Sequence, residues 1–306
     1  MERRKETNMV SIPAGVGWTS LLTAYGRAQE ALEIHPRFID ACAAEFVEAA
    51  VEARVVNDES LPRLDPARDG GSSTLLETWR FYFTQRTPFY DRHILREVAQ
   101  RRRQVVILGA GLDSRAFRLG LPAEATVFEV DQAAVLEFKH DVLKKNNRVP
   151  TCHRKTLTAD VTAGFSEPLR AEGFDPTMPV IWVLEGLLMY LTEDAANRLM
   201  AEMARSSASG SVILSEYFVR PWKNPDVRYD SLDAETQEAW DLLMKAFLYG
   251  PVHHRPGEWL TSHGWIPTEV TTITAEAGKE GRAIPDDWGR PGANDVWLFS
   301  GVKGAE

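Results

Sequence analysis

The chain has 306 residues, enough to bury a sizeable core as one large domain or two small ones, and 44% of them are apolar. Its 44 acidic against 35 basic residues give a net charge of −9, which disfavours nucleic acid and anionic membranes as partners, since both require a basic surface. The two cysteines, Cys42 and Cys152, match no metal or redox spacing and read as buried free thiols of a reducing compartment.

The opening "MERRKETNMV" mixes both charge signs and leads into no apolar segment of signal-peptide length. Residues 35–54 place Phe38, Ile39, Cys42, Phe46, Val47, Ala50 and Val51 at helical spacing, which predicts an amphipathic covering helix. "LPRLDPARDGGSS" at 61–73 is a loop by composition. Residues 74–100 read as a helix, a break at Pro88 and a second helix. Residues 1–100 are thus expected to form a helical N-terminal cover, and 101–306 the core.

From residue 104 short apolar runs alternate with helical segments, the pattern of a doubly wound parallel sheet. Strands are predicted at 104–109, 126–131, 156–161, 179–186 and 211–218, and "WIPTEVTTIT" and "DVWLFSGVK" should close the chain as a hairpin. The helix after Thr192, its expected N-cap, carries Ala195, Leu199 and Met203 on one stripe and ends at Gly210. An insertion at about 219–257 follows the fifth strand and contains a helical segment, readable equally as a lid or as a packing helix. The aromatics around it, Tyr217, Trp222, Tyr229, Trp240, Phe247 and Tyr249, offer walls for an apolar acceptor pocket, although aromatics at helical spacing also suit a core. The longest apolar stretch, "VIWVLEGLLMYL", is twelve residues and contains Glu185, too short to span a bilayer. A cytoplasmic protein is expected.

The chemistry concentrates at predicted strand ends. "VVILGAGLDSRAFRL" runs from an apolar strand into Gly109 and Gly111, the manner in which a buried parallel strand hands over to a helix beneath a nucleotide-like ligand. A dinucleotide fingerprint would need a third glycine where Ser114 stands, and Asp113 would oppose a pyrophosphate. Asp113 suits an ammonium instead. Asp131 lies 22 residues after Gly109, near the spacing for a ribose-binding acid. Asp160 is placed for an adenine amino group, and Glu185 interrupts an apolar run, where an unpaired charge is costly. Acids with one arginine match S-adenosylmethionine better than a dinucleotide.

These stretches, with "VFEVD", "ADV", "EGLLMYL" and "RTPFYD", resemble the leucine carboxyl methyltransferase family, in particular its bacterial O-methyltransferase branch, which includes tetracenomycin carboxyl methylation. The resemblance covers residues 75–300. It implies a class I methyltransferase (Rossmann-like) α/β sheet of about seven strands with the last antiparallel, and S-adenosyl-L-methionine as cofactor. It also implies that Arg86 holds the methionyl carboxylate, Gly109 and Gly111 the cofactor's backbone approach, Asp131 the ribose, Asp160 with Val161 the adenine, and Glu185 the methionyl part. The expected reaction is O-methylation of a small, natural-product-like acceptor, as in polyketide biosynthesis, with carboxyl favoured over hydroxyl. Methylation of a protein's C-terminal carboxylate and nucleotide-linked oxidoreduction stand as alternatives. His253 and His254 read either as ordinary surface-loop histidines or as residues of a turn facing the crevice, where a histidine would serve a hydroxyl acceptor as base and Arg255 would hold an acceptor carboxylate. "RRR" at 101–103 reads as a solvated helix end. The histidine pair lacks a third ligand for zinc, and no metal is expected.

Overall fold

The computed structural model describes residues 16–57, 74–223 and 234–305; the predicted loop at 61–73 and Tyr229 lie outside them. The chain runs α1 (Val16–Glu30), α2 (Ala41–Asn57), α3 (Thr74–Ala99), β1 (Gln104–Leu108), α4 (Arg115–Arg118), β2 (Thr126–Asp131), α5 (Ala133–Lys145), β3 (His153–Thr158), α6 (Ser166–Ala171) and β4 (Val180–Leu184). A 3₁₀ turn at Leu188–Tyr190 leads to α7 (Glu193–Arg205), β5 (Val212–Phe218), α8 (Ala234–Ala246), α9 (Pro256–Ser262), β6 (Trp265–Thr272), α10 (Ile273–Lys279), α11 (Asp286–Gly289) and β7 (Val296–Lys303).

Among the described residues the strands form one sheet of seven in the order β3-β2-β1-β4-β5-β7-β6. The first five in that order are parallel, and β7 is antiparallel to both β5 and β6. The doubly wound class I methyltransferase fold is the one expected. Central strands β1 and β4 are buried throughout, which is why they read as unbroken apolar runs. Strand alternation sorts the core by face. Ile107, Val127, Val183 and Leu214 join the helices of residues 16–99 in one apolar cluster, while Val106, Phe128, Trp182 and Ile213 join α6, α7 and α9 in the other. The chain reverses direction across the sheet between β1 and β4, so their C-terminal ends flank the crevice where such sheets bind ligands.

Four local expectations are corrected. The predicted covering helix is α2 and starts at Ala41, not at residue 35: Asp40 Oδ1 accepts the Ala43 N–H at 3.0 Å and caps it. Ile39 and Val51 are 65% and 41% exposed, off the inward stripe. No break occurs at Pro88, and α3 runs through it. Proline leaves the Thr84 carbonyl without its helical donor, a loss of about 3 kcal/mol in a helix interior. Hydroxyls tie the preceding turn instead, Thr84 Oγ1 donating to Arg80 O at 2.9 Å and Thr87 Oγ1 to Phe83 O at 2.8 Å. Tyr82, Phe89, Tyr90 and Ile94 are buried on both sides of the proline, and that burial outweighs it. Strand β3 ends at Thr158, which leaves Asp160 in the following loop. Strands β6 and β7 pair, but α10 and α11 stand between them, so they are not a hairpin.

Helix α7 starts where the sequence places it, Thr192 accepting from Ala195 N, with Glu193 and Asp194 in the first turn and Arg205 in the last complementing the helix dipole, but it ends at Arg205 and not at Gly210. Both cysteines are free and buried, and burial pushes each thiol up to about 11. No helix among the described residues is long and apolar enough to cross a membrane.

Candidate functional site

A cavity of about 340 Å³ opens at the C-terminal ends of β1, β2 and β4. Its floor is the turn after β1. Gly109 and Gly111 hold φ of +67° and +45°, and a Cβ on Gly109 would stand 3.1 Å from the Leu187 side chain. Gly109 N and Ala110 N both donate to Val130 O, and Gly111 N donates to Asp131 Oδ2 at 2.6 Å. The glycine turn is therefore locked to the end of β2 by the acid that the sequence singles out. Asp131 also accepts from Gln132 N at 2.7 Å, and each oxygen keeps a lone pair. Burial raises its carboxyl, with the Gly111 and Gln132 N–H groups opposing.

Asp160 and Val161 border the same cavity, Asp160 exposed and accepting from the Thr162 backbone and hydroxyl at 2.8 and 2.7 Å. Those bonds hold its carboxyl below the ordinary range.

At the other end Glu185, the first residue past β4, is paired on both oxygens. Arg86 Nε donates to Oε1 at 2.9 Å and Arg115 Nη1 lies 2.6 Å from Oε2. Burial would raise this carboxyl, yet Arg115 and then Arg86 outweigh it and hold it low. The charge inside the apolar run is thus compensated by two arginines and also borders the cavity. Asp113 is bound by the backbone and the guanidinium of Arg115; burial acts upward, but Arg115 with Lys139 brings it down to about 2.

Arg86 stands within α3, not in a break between helices, and shares the stripe of Tyr82 and Tyr90 at i−4 and i+4. Its Nη1 donates to Tyr82 Oη and, at 2.6 Å, to Glu216 Oε1. Glu216 on β5 also accepts from Tyr82 Oη at 2.5 Å and Gly186 N at 2.9 Å. The sequence reading missed Glu216, although "VILSEYF" carries the same signal as Glu185, an acid inside a buried strand. Ion pairs continue from Arg115 to Asp91 at 2.7 Å, from Asp91 to Arg118 at 2.6 Å, and through Asp40 at 3.7 Å to Arg27 at 2.8 Å, which borders the cavity again.

Helix α1 forms a wall no motif announced. Thr19, Ser20, Thr23 and Arg27 border the cavity, and Arg27 Nη2 donates to Leu112 O at 2.6 Å, pinning α1 to the glycine turn. The lining also includes Trp79, Phe83, Tyr190, Leu243 and Phe247, with the Phe83 ring 5.1 Å from the Arg86 guanidinium. Of the aromatics expected to wall an acceptor pocket, Phe247 borders the cavity. Trp222 and Trp240 pack around Trp79, and Tyr217 lies on the other sheet face against Trp259 and Phe299.

His253, His254 and Arg255 do not face the crevice. All three are exposed and outside the cavity lining. The Tyr217 hydroxyl holds the His254 carbonyl at 3.0 Å from the second sheet face, and His254 Nε2 pairs with Glu193 at 2.7 Å. Pro256 and Trp259, buried in α9, turn this segment outward. No cluster of three metal-ligating side chains exists among the described residues.

The sequence profile of the leucine carboxyl methyltransferase family matches residues 20–204. The chain belongs to this family. The match begins inside α1, upstream of the residue 75 at which the motif resemblance starts, in keeping with that helix's place in the cavity wall. Among family relatives, a chain from Parafrankia sp. named an S-adenosyl-L-methionine-dependent methyltransferase is 36% identical over 86% of this chain and 81% of its own length. One from Mycobacterium bovis with the same description is 36% identical over 93% and 91%. A DUF574-family protein of Streptomyces avermitilis shares the fold at a TM-score of 0.50 and 14% identity, over 93% of this chain and 97% of that one.

Proposed function

We propose that this family member is an S-adenosylmethionine-dependent O-methyltransferase whose acceptor is the carboxylate of a small molecule. Methyl transfer from S-adenosylmethionine is its activity; when bound, that cofactor supplies an electrophilic methyl on a positive sulfur. The residues fit the group. The left-handed glycine turn leaves room where a Cβ would crowd Leu187, and Arg86 Nη2 takes no part in the bonds to Glu185, Glu216 and Tyr82. In this reading Asp131 accepts the ribose hydroxyls, Asp160 and Val161 border the adenine, and Gly109 and Gly111 receive the backbone. Arg86 Nη2 meets the methionyl carboxylate, while Asp113 and Glu185 face the ammonium.

The observation that carries the acceptor assignment is that, among the described residues, the cavity is lined by no base beyond the carboxylates that this reading gives to the cofactor. All seven histidines fall within the described residues and none borders the cavity; nor does any described lysine or cysteine. Tyr82 and Tyr190 are raised by burial, and Asp113 and Glu185 are held by arginines. A carboxylic acid, with a pKa of about 4, arrives ionised, whereas a phenol at about 10 needs a proton removed. An ionised acceptor oxygen forms the O–CH₃ bond as the S–CH₃ bond breaks, the electron pair stays on sulfur, and no proton moves. The protein's part is alignment and exclusion of water. The test is a panel of carboxylic acids and matched phenols assayed for methyl transfer, with kcat/KM followed from pH 6 to 8. Turnover of acids with a flat profile supports the proposal; turnover of phenols alone, rising with pH, overturns it.

A further inference from the structure

The ion-pair chain beneath the cavity links four guanidiniums, of Arg27, Arg118, Arg115 and Arg86, to five carboxylates, of Asp40, Asp91, Asp113, Glu185 and Glu216. One negative charge is in excess, and several observations locate it at Glu216. The residue is fully buried, its Oε1 takes every bond described above, and its Oε2 is buried with no hydrogen-bond partner among the described residues. Its one cation, Arg86, is shared with Glu185. Asp40 and Glu185 are held below the carboxylate range, whereas burial pushes Glu216 above it, toward the neutral form; the three donors on its Oε1, from Tyr82, Arg86 and Gly186, favour the ionised one.

We propose that Glu216 is the charge-balancing residue of the cofactor site: its uncompensated carboxylate, directly behind the cavity-lining Tyr82, Arg86 and Gly186, makes the site prefer a cationic sulfonium to the neutral thioether product. This rests on the methionyl half of the cofactor lying at the Arg86 end of the cavity. Away from water a unit charge acts over several ångströms with little screening, so one charge is enough to separate two ligands that differ only in a methyl cation. The consequence is an order of events. The same negative charge opposes an anionic acceptor until the sulfonium neutralises it, so donor binds before acceptor. Once the methyl has left, the balance is lost and the thioether is held less firmly.

Calorimetric titration at pH 8 with S-adenosylmethionine and S-adenosylhomocysteine separates this from a merely structural role. The wild-type protein should bind the sulfonium roughly tenfold more tightly than the thioether. Glu216→Gln keeps an oxygen for Tyr82, Arg86 and Gly186 but removes the charge; it should lose that preference through weaker sulfonium binding, leaving thioether affinity within about twofold. Equal weakening of both ligands overturns the proposal. Should Glu216→Gln not fold, the wild-type ratio decides, and equal affinities or a preference for the thioether overturn it. Asp131→Ala serves as the site control. If it leaves both affinities unchanged, the cavity is not the cofactor site and the placement underlying the proposal falls with it; if it weakens both, a failure in Glu216→Gln is a failure of the charge argument alone.

Discussion

Glu185 Oε1 sits 2.9 Å from Arg86 Nε while its other oxygen lies 2.6 Å from Arg115 Nη1, so a single carboxylate joins helix α3 to the segment after the glycine turn. Arg86 and Arg115 are each only a few per cent exposed, and neither has bulk water to fall back on. Removing one member of a buried pair costs about 3–5 kcal/mol where the partner charge is left uncompensated; here Arg86 keeps Glu216 and Arg115 keeps Asp91 and Asp113, so the loss is smaller. Glu185→Ala should lower unfolding stability by about 1.5–3 kcal/mol in urea denaturation, the worth of a charge-assisted hydrogen bond, with cofactor binding weakened as well. A variant of unchanged midpoint would show that the two guanidiniums find compensation elsewhere.

Asp131 offers a cleaner reading of the cofactor end, since its two protein bonds are to the backbone N–H groups of Gly111 and Gln132, and Lys139, the buried cation that acts on it, is paired with Glu129. Asp131→Ala should weaken S-adenosylmethionine binding by about 1.5–3 kcal/mol for each charge-assisted hydrogen bond lost, tenfold or more in Kd. Asp131→Asn should recover part of this by keeping an acceptor oxygen. Calorimetric affinities equal to wild type in both variants would remove the ribose assignment.

Legibility from sequence followed the range of the signal. The glycine turn, Asp131 and Glu185 announce themselves because each is a local exception within a strand or at its end: a residue needing positive φ, or a charge among apolar neighbours. The parallel sheet was readable for the same reason, its central strands being apolar on both faces. What escaped depends on contacts between distant segments. Nothing in "VGWTSLLTAYGRAQE" says that Thr19, Ser20 and Arg27 border a cavity until α1 is laid against the turn after β1. Pro88 signals a helix end locally, and only burial on both sides of it overrules that. The exposed His253 and His254 attracted attention by residue type, but type carries no direction, and the buried Trp259 after them sets which way the turn faces. Tyr82, Arg86 and Tyr90 share an i, i+4 stripe, a periodic signal present in the sequence that becomes functional only when Glu216 is found opposite.

His93 makes stability depend on pH. It is fully buried on α3, its Nε2 3.0 Å from Glu269 and its Nδ1 2.8 Å from Arg96, and burial followed by Arg96 lowers it to about 4. The unfolded chain binds this proton at about 6.5, so between 6.5 and 4 the unfolded state holds more protons and stability falls as pH falls. Above 6.5 the contribution is constant. The shift corresponds to about 3 kcal/mol. Urea midpoints from pH 7 to 4 should drop more steeply for the wild type than for His93→Gln, which does not titrate; parallel curves would mean that other groups dominate the acid limb.

The exposed histidines should be dispensable for catalysis. His253→Ala and His254→Ala remove side chains outside the cavity lining, and His254 pairs with the half-exposed Glu193. Both variants should keep most of the wild-type kcat/KM and the same flat profile from pH 6 to 8. A histidine-like rise in the wild type that one variant abolishes would make that residue a base and transfer the acceptor assignment to a hydroxyl.

Helix α8 presents the question of lid against wall, and its C-terminal connection favours the wall. Leu243 and Phe247 border the cavity, yet the segment that follows is bonded to the 3₁₀ turn below it: Leu248 N and Tyr249 N donate to Met189 O at 2.8 and 2.9 Å, and Gly250 N donates to Leu191 O at 2.8 Å. Gly250 holds φ of +41°, and a Cβ there would stand 2.4 Å from Leu188 O, so no larger residue fits without moving backbone. Three backbone bonds and this close approach fix the end of α8, with Trp240 and Phe247 packed on Trp79 holding the rest. Opening would have to break all of these together. Limited proteolysis within residues 234–255 should accordingly proceed at the same rate with and without S-adenosylmethionine. Gly250→Ala should destabilise the protein and accelerate cleavage there in both states, because it forces apart the contact that seats the helix. Strong protection of the wild-type segment by the cofactor would instead make α8 a lid that closes over the bound ligand.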